Sequence, residues 1–135
     1  VRLAFLFAAA LAVVAGCGPS AETLEQRRVL AAIDALRDAP AMDVPARRRL
    51  LDALDKQEAQ SPLARRARDD CAAAYRLLIE GNEATEAVRK ALAHPETAPP
   101  TTLSDLAAAE EKIKKSGEAM PGCEKAAAEL LRAAR

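Results

Sequence analysis

The sequence predicts an all-α fold, a small bundle of four or five short helices closed by one disulfide. Three observations predict it. Apolar residues recur at steps of three and four and nowhere alternate over the length of a strand. Proline and glycine cut the chain into pieces of helical length. Two cysteines, Cys71 and Cys123, each fall on one of the apolar stripes.

The first helix runs from about Ala21 to Asp38, with Leu24, Val29, Leu30, Ile33 and Leu36 as its apolar side, and Pro40 ends it. Asp43-Val44-Pro45 marks the start of a second, whose stripe is Leu50, Leu51 and Leu54. Ser61 and Pro62 are an N-cap followed by proline at the first helical position, so a third helix begins there. Its stripe is Leu63, Ala67, Cys71, Ala74 and Leu78, flanked by Tyr75 and Ile79. Gly81-Asn82 should end or bend it. A shorter segment, Glu83 to Ala93, carries Ala84, Val88, Ala91 and Leu92, and His94-Pro95 stops it. Pro95 to Thr101 reads as a loop. Thr102 and Asp105 have the spacing of a capping box, so the next helix begins there with Leu103, Leu106 and Ile113. Gly117 and Pro121-Gly122 should break it. A last helix then places Cys123, Ala127, Leu130 and Ala134 on one face.

Alanine is abundant and larger apolar side chains are sparse, so the helices can approach closely but remove little apolar area from water, at about 25 cal/mol per Å². A crosslink supplies what a thin core lacks. Outside the cytoplasm Cys71 and Cys123 read as a disulfide, bringing the third and last helices face to face. A loop of that size stabilises by about 4 kcal/mol in the chain-entropy account.

Residues 1–16 are read as an address, not as part of the fold. The apolar run Leu3 to Ala15 is shorter than the roughly 20 residues a membrane-spanning helix needs, and it ends in small residues as a secretory signal does. Val14-Ala15-Gly16-Cys17 resembles the lipobox of bacterial lipoproteins. The resemblance covers only the first 20 or so residues. It implies cleavage between Gly16 and Cys17, a diacylglyceryl group on the Cys17 sulfur and, in Gram-negative bacteria, a further acyl chain on its amine. Two or three chains give a lasting anchor where one would not. Cys17 to Ser20 would then be the lipidated residue and a short tether, and 21–135 a single helical domain. Arg2 is the leader's only cation, and Val1 points to an alternative start codon or a missing N-terminal piece. Gly18 in place of an aspartate after the lipidated cysteine implies an outer membrane, facing the periplasm, in a Gram-negative host. In a Gram-positive one the same anchor implies the outer side of the cytoplasmic membrane.

Charge and composition exclude several classes of function. The 20 Lys and Arg residues balance 20 Asp and Glu, which argues against nucleic acid as partner. Outside the leader Tyr75 is the sole aromatic, too little for a stacking platform. His94, the only histidine, has no second ligand at metal spacing, and no phosphate loop, cofactor motif or small-molecule site is evident. The acidic pairs Asp69-Asp70 and Glu110-Glu111 are interleaved with Arg and Lys, as on a solvated face. Three basic clusters remain: Arg47-Arg48-Arg49, Arg65-Arg66-Arg68 and Lys112-Lys114-Lys115. They mostly solubilise helical surfaces, but the two arginine clusters are the candidates for contact with a partner. The expectation is therefore a membrane-anchored, non-catalytic accessory or adaptor protein that binds another envelope protein. The alternatives are an envelope hydrolase or transferase using carboxylates, or an inhibitor of a wall-degrading enzyme acting through the Pro95–Thr101 loop.

Overall fold

The structure, a computed structural model, describes residues 18–135. Residues 1–17, and with them the leader and Cys17, lie outside the described residues.

Four helices follow one another: α1 (Ala21–Asp38), α2 (Val44–Asp55), α3 (Pro62–Leu92) and α4 (Thr102–Ala133), with no strand among the described residues. Three begin on a side-chain cap that satisfies an amide of the first turn. The Ser20 hydroxyl accepts from the Thr23 N–H, the Asp43 carboxylate from Ala46 and the Ser61 hydroxyl from Ala64. Proline occupies the first turn of α2 and of α3, where its missing N–H costs nothing. The fourth start differs from the capping box expected at Thr102. Thr102 is already helical and buried, and its hydroxyl donates to the Pro99 carbonyl at 2.6 Å. Thr101 takes the cap position, and its hydroxyl meets the Asp105 carboxylate at 3.0 Å.

The helices run alternately up and down. Glu25 of α1 reaches the start of α3 at Ser61, and Arg27 reaches the end of α4 at Ala134, so these three termini share one end of the bundle. From the opposite end α2 runs back along α3 toward it, with Arg48 opposite Glu83 and Asp55 opposite Arg76. Along α3 and α4 the paired positions rise on one helix as they fall on the other: Arg66 with Glu129, Cys71 with Cys123, Glu80 with Lys112. These two helices form the main interface, α1 lies against both, and α2 packs on α3 and α1.

The expected breaks at Gly81-Asn82 and at Gly117 and Pro121-Gly122 do not occur. Two pairs of expected short helices are instead two long ones, of 31 and 32 residues. The reason is tertiary. Gly81 is buried where α3 crosses α4, and its lack of a side chain lets the backbones approach, so the glycine is kept helical by packing. Pro121 lies inside α4, where it removes one backbone hydrogen bond. The bridge at Cys123, two residues on, and the apolar seam around it hold both sides of the interruption on one axis.

The core sits where α1 and α2 cover this hairpin. Val29, Ile33, Leu36, Leu51, Leu54, Ile79 and Leu130 are essentially inaccessible, each contributing about 1.5–3 kcal/mol on burial. Alanines fill the α3–α4 seam, among them Ala64, Ala67, Ala74, Ala126 and Ala127, and the Cys71–Cys123 disulfide joins the two helices within it.

Candidate functional site

The two arginine clusters serve the fold more than they form a common surface. Arg47 is buried and its Nε donates to the Ala39 carbonyl at 3.3 Å, closing the end of α1. Arg48 pairs with Glu83 across α2 and α3, a bond that raises its already high pKa. Arg49 is exposed and forms no ion pair among the described residues. In the second cluster Arg65 donates to the Gln60 carbonyl and Arg66 meets both Asp70 and Glu129. Arg68 ties the α2–α3 connection through the Gln57 carbonyl at 2.9 Å. The structure does not bring the clusters together. Within the lysine cluster, Lys112 bonds Glu80 and Lys115 lies 3.7 Å from Glu111.

The titratable groups are dispersed in the same way. His94 is exposed in the α3–α4 connection, 3.7 Å from Glu96. Asp69 and Asp70 pair with Arg68 and Arg66, and Glu110 and Glu111 are exposed. Glu25 is the one buried carboxylate among the described residues. Its oxygen accepts the Ser61 backbone N–H at 2.9 Å, and that bond, with a second from the Gln60 backbone, holds its pKa below the ordinary carboxylate value. Among the described residues no cluster of His, Cys, Asp or Glu could hold a metal ion, and no helix is long and apolar enough to cross a membrane.

Of several shallow concavities on the described residues, one lies near the turn of the α3–α4 hairpin. Ala84, Ala87, Val88 and Ala91 from α3, Pro99 from the connection, and Thr102, Asp105, Ala108, Ala109 and Lys112 from α4 line a groove of about 360 Å³. Neither α1 nor α2 contributes to it. Its walls are methyl groups, with one acid and one base at the α4 rim. Close by, Leu92 and Leu103 are about half and three-quarters exposed. On the other flank of α3, Met42 is almost wholly exposed beside Val44, Pro45 and Lys90. The sequence places Ala84, Val88, Ala91 and Leu92 on a helical segment and Thr102, Leu103 and Asp105 at a helix start, but it does not show that the two stretches lie side by side. The signal for one continuous helix is the step from Gly81 to Ala84, Val88 and Ala91, which keeps helical spacing across the glycine.

The groove offers an apolar contact surface bordered by Asp105 and Lys112. Among the described residues Glu25 is the single buried carboxylate, and it is bonded to the Ser61 N–H. Comparison with known protein families, with curated proteins and with solved structures returned no match for this chain.

Proposed function

We propose that the protein is a lipid-anchored envelope protein that serves as a non-catalytic adaptor, binding another envelope protein through the turn end of its α3–α4 hairpin. The observation that carries the binding half of this reading is the methyl-lined groove with Leu92 and Leu103 exposed nearby, an apolar concave surface left uncovered among the described residues. The lipobox-like Val14-Ala15-Gly16-Cys17 supports the anchoring half, and Gly18 after the cysteine favours an outer membrane in a Gram-negative host. The dispersal of carboxylates favours binding over the hydrolase or transferase reading, which needs two acids in one cleft with their pKa values driven apart. The bonds already held by Arg47, Arg48, Arg66 and Arg68 move the partner site away from the arginine clusters and toward the hairpin turn.

Site-specific photo-crosslinking in the native host tests this. A crosslinker replacing Ala91 or Leu103 should give one discrete protein adduct. One replacing Ala35, exposed on α1, should give none. Equal labelling from all three positions, or no adduct from the hairpin, would refute the partner site.

A further inference from the structure

We infer that the end of the bundle where α1 begins is a second membrane contact, a face that lies on anionic lipid headgroups through arginines and exposed leucines. The inference rests on the reading of Cys17 as the lipidated residue. Three residues, Gly18 to Ser20, separate Cys17 from the first turn of α1, where the Ser20 side chain is already fixed as the cap. Three extended residues span about 10 Å. Acyl chains on Cys17 therefore hold this end within about 10 Å of the headgroups.

The residues at that end suit such a surface. The Glu25–Ser61 and Arg27–Ala134 bonds gather the start of α1, the start of α3 and the end of α4 there. Three of the six exposed large apolar residues among the described residues belong to these segments: Leu24, Leu63 and Leu131, each between about a third and a half exposed. Four arginines accompany them with no carboxylate within ion-pair distance among the described residues, although Arg28 stands near enough to Glu25 to help lower its pKa. Arg27 and Arg132 donate to the Ala134 and Ala128 carbonyls and Arg65 to that of Gln60, while Arg28 lines the shallow groove between α1 and α3. Of the carboxylates at this end Glu129 pairs with Arg66, Glu25 and Glu22 bond the neutral Ser61 N–H and Gln26 amide, and Glu58 remains, three acids against the four arginines and Lys56. Arginine keeps its charge at any physiological pH and lays its alkyl stem along apolar surface while its head meets phosphate. End-on contact also sets what the anchor displays. The 31 residues of α3 carry the hairpin turn, with its groove, about 45 Å from the headgroups.

The test uses the acylated full chain reconstituted in vesicles. Cys71 and Cys123 are bridged and Cys17 would be acylated, so a cysteine introduced by Leu63→Cys, or by Leu103→Cys as the far-end control, takes a fluorophore uniquely. Lipids spin-labelled at the headgroup should quench the label at position 63 in mixed phosphatidylglycerol and phosphatidylcholine. Position 103 should stay bright. The combined Arg28→Gln, Arg65→Gln and Arg132→Gln variant should lower the docked-to-undocked ratio by roughly fivefold per arginine near the surface, without releasing the anchored protein. Quenching at 63 no greater than at 103, or equal on phosphatidylcholine alone, overturns the headgroup contact while an acyl mass on Cys17 leaves the anchor standing. A bare Cys17 in the same mass spectrum overturns the anchor and the contact together.

Discussion

A Cβ placed on Gly81 would stand 2.6 Å from Cγ1 of Ile113, closer than two carbons can pack, and 3.1 Å from the Ala109 carbonyl oxygen. Here α3 approaches α4 too closely for a side chain, and this explains why a residue that usually ends helices sits in the middle of one. Alanine is better than glycine in a helix interior by about 1 kcal/mol, yet overpacking costs about 1–3 kcal/mol. Because the contacts include backbone atoms of α4, the second effect wins. Gly81→Ala should lower unfolding stability by about 1 kcal/mol net. Gly117→Ala, with nothing within 4 Å of the added methyl, should raise it by up to about 1 kcal/mol. Urea denaturation of the two variants beside the parent reads the opposite signs.

Pro121 is the other residue whose local preference is overridden. It is exposed inside α4 and leaves one backbone bond unmade, a defect worth about 3 kcal/mol in an isolated helix. Proline also narrows the unfolded ensemble, which returns about 0.4–1 kcal/mol. Pro121→Ala should therefore stabilise the protein by about 2 kcal/mol, with a melting temperature several degrees higher. An unchanged or lower midpoint would mean that α4 needs its interruption.

The Cys71–Cys123 bridge links positions 52 residues apart in a domain whose seam is mostly alanine. Replacing both cysteines by alanine, or reducing the protein, should cost about 2–5 kcal/mol. The loss should appear as a shift of the denaturation midpoint in thiol-containing buffer, and the alanine variant should be insensitive to thiol.

These cases show what was legible in the chain. Helix starts were readable because caps are local chemistry: Ser61-Pro62 and Asp43-Val44-Pro45 satisfy their own first turns. The disulfide was readable because both cysteines lie on apolar stripes of helical spacing. The ends at Gly81 and Pro121 were misread because contacts distant in sequence decided them, the α4 backbone in one case and the bridged seam in the other. The same limit applied to the candidate site. Arg47, Arg48 and Arg49 are one run in the sequence, but successive helical residues point about 100° apart, so one is buried, one paired and one free. Arg47→Ala leaves the Ala39 carbonyl without its donor and should cost about 1–3 kcal/mol. Arg49→Ala should stay within about 0.5 kcal/mol of the parent. Equal effects in parallel thermal melts would contradict this division.

The acid limit of stability should be set in part by Glu25. Its ionised carboxylate accepts the Ser61 N–H at the start of α3, joining the first turns of α1 and α3, and that bond holds its pKa below the ordinary 4.5. A carboxyl whose pKa is lower folded than unfolded contributes its full stabilisation above the unfolded value and loses it as pH falls through the folded one. Glu25→Gln keeps an oxygen to accept the bond but removes the charge, so the variant should melt below the parent at neutral pH. The gap should stay constant down to about pH 5 and close as pH drops through and below 4.5. Glu86 is also lowered, by its bond to Arg89, so the parent alone would lose stability over the same range whichever acid were responsible. The difference between parent and Glu25→Gln cancels that shared contribution, and a gap that persists unchanged to the acid limit would show that the charge of Glu25 does not tie α1 to α3.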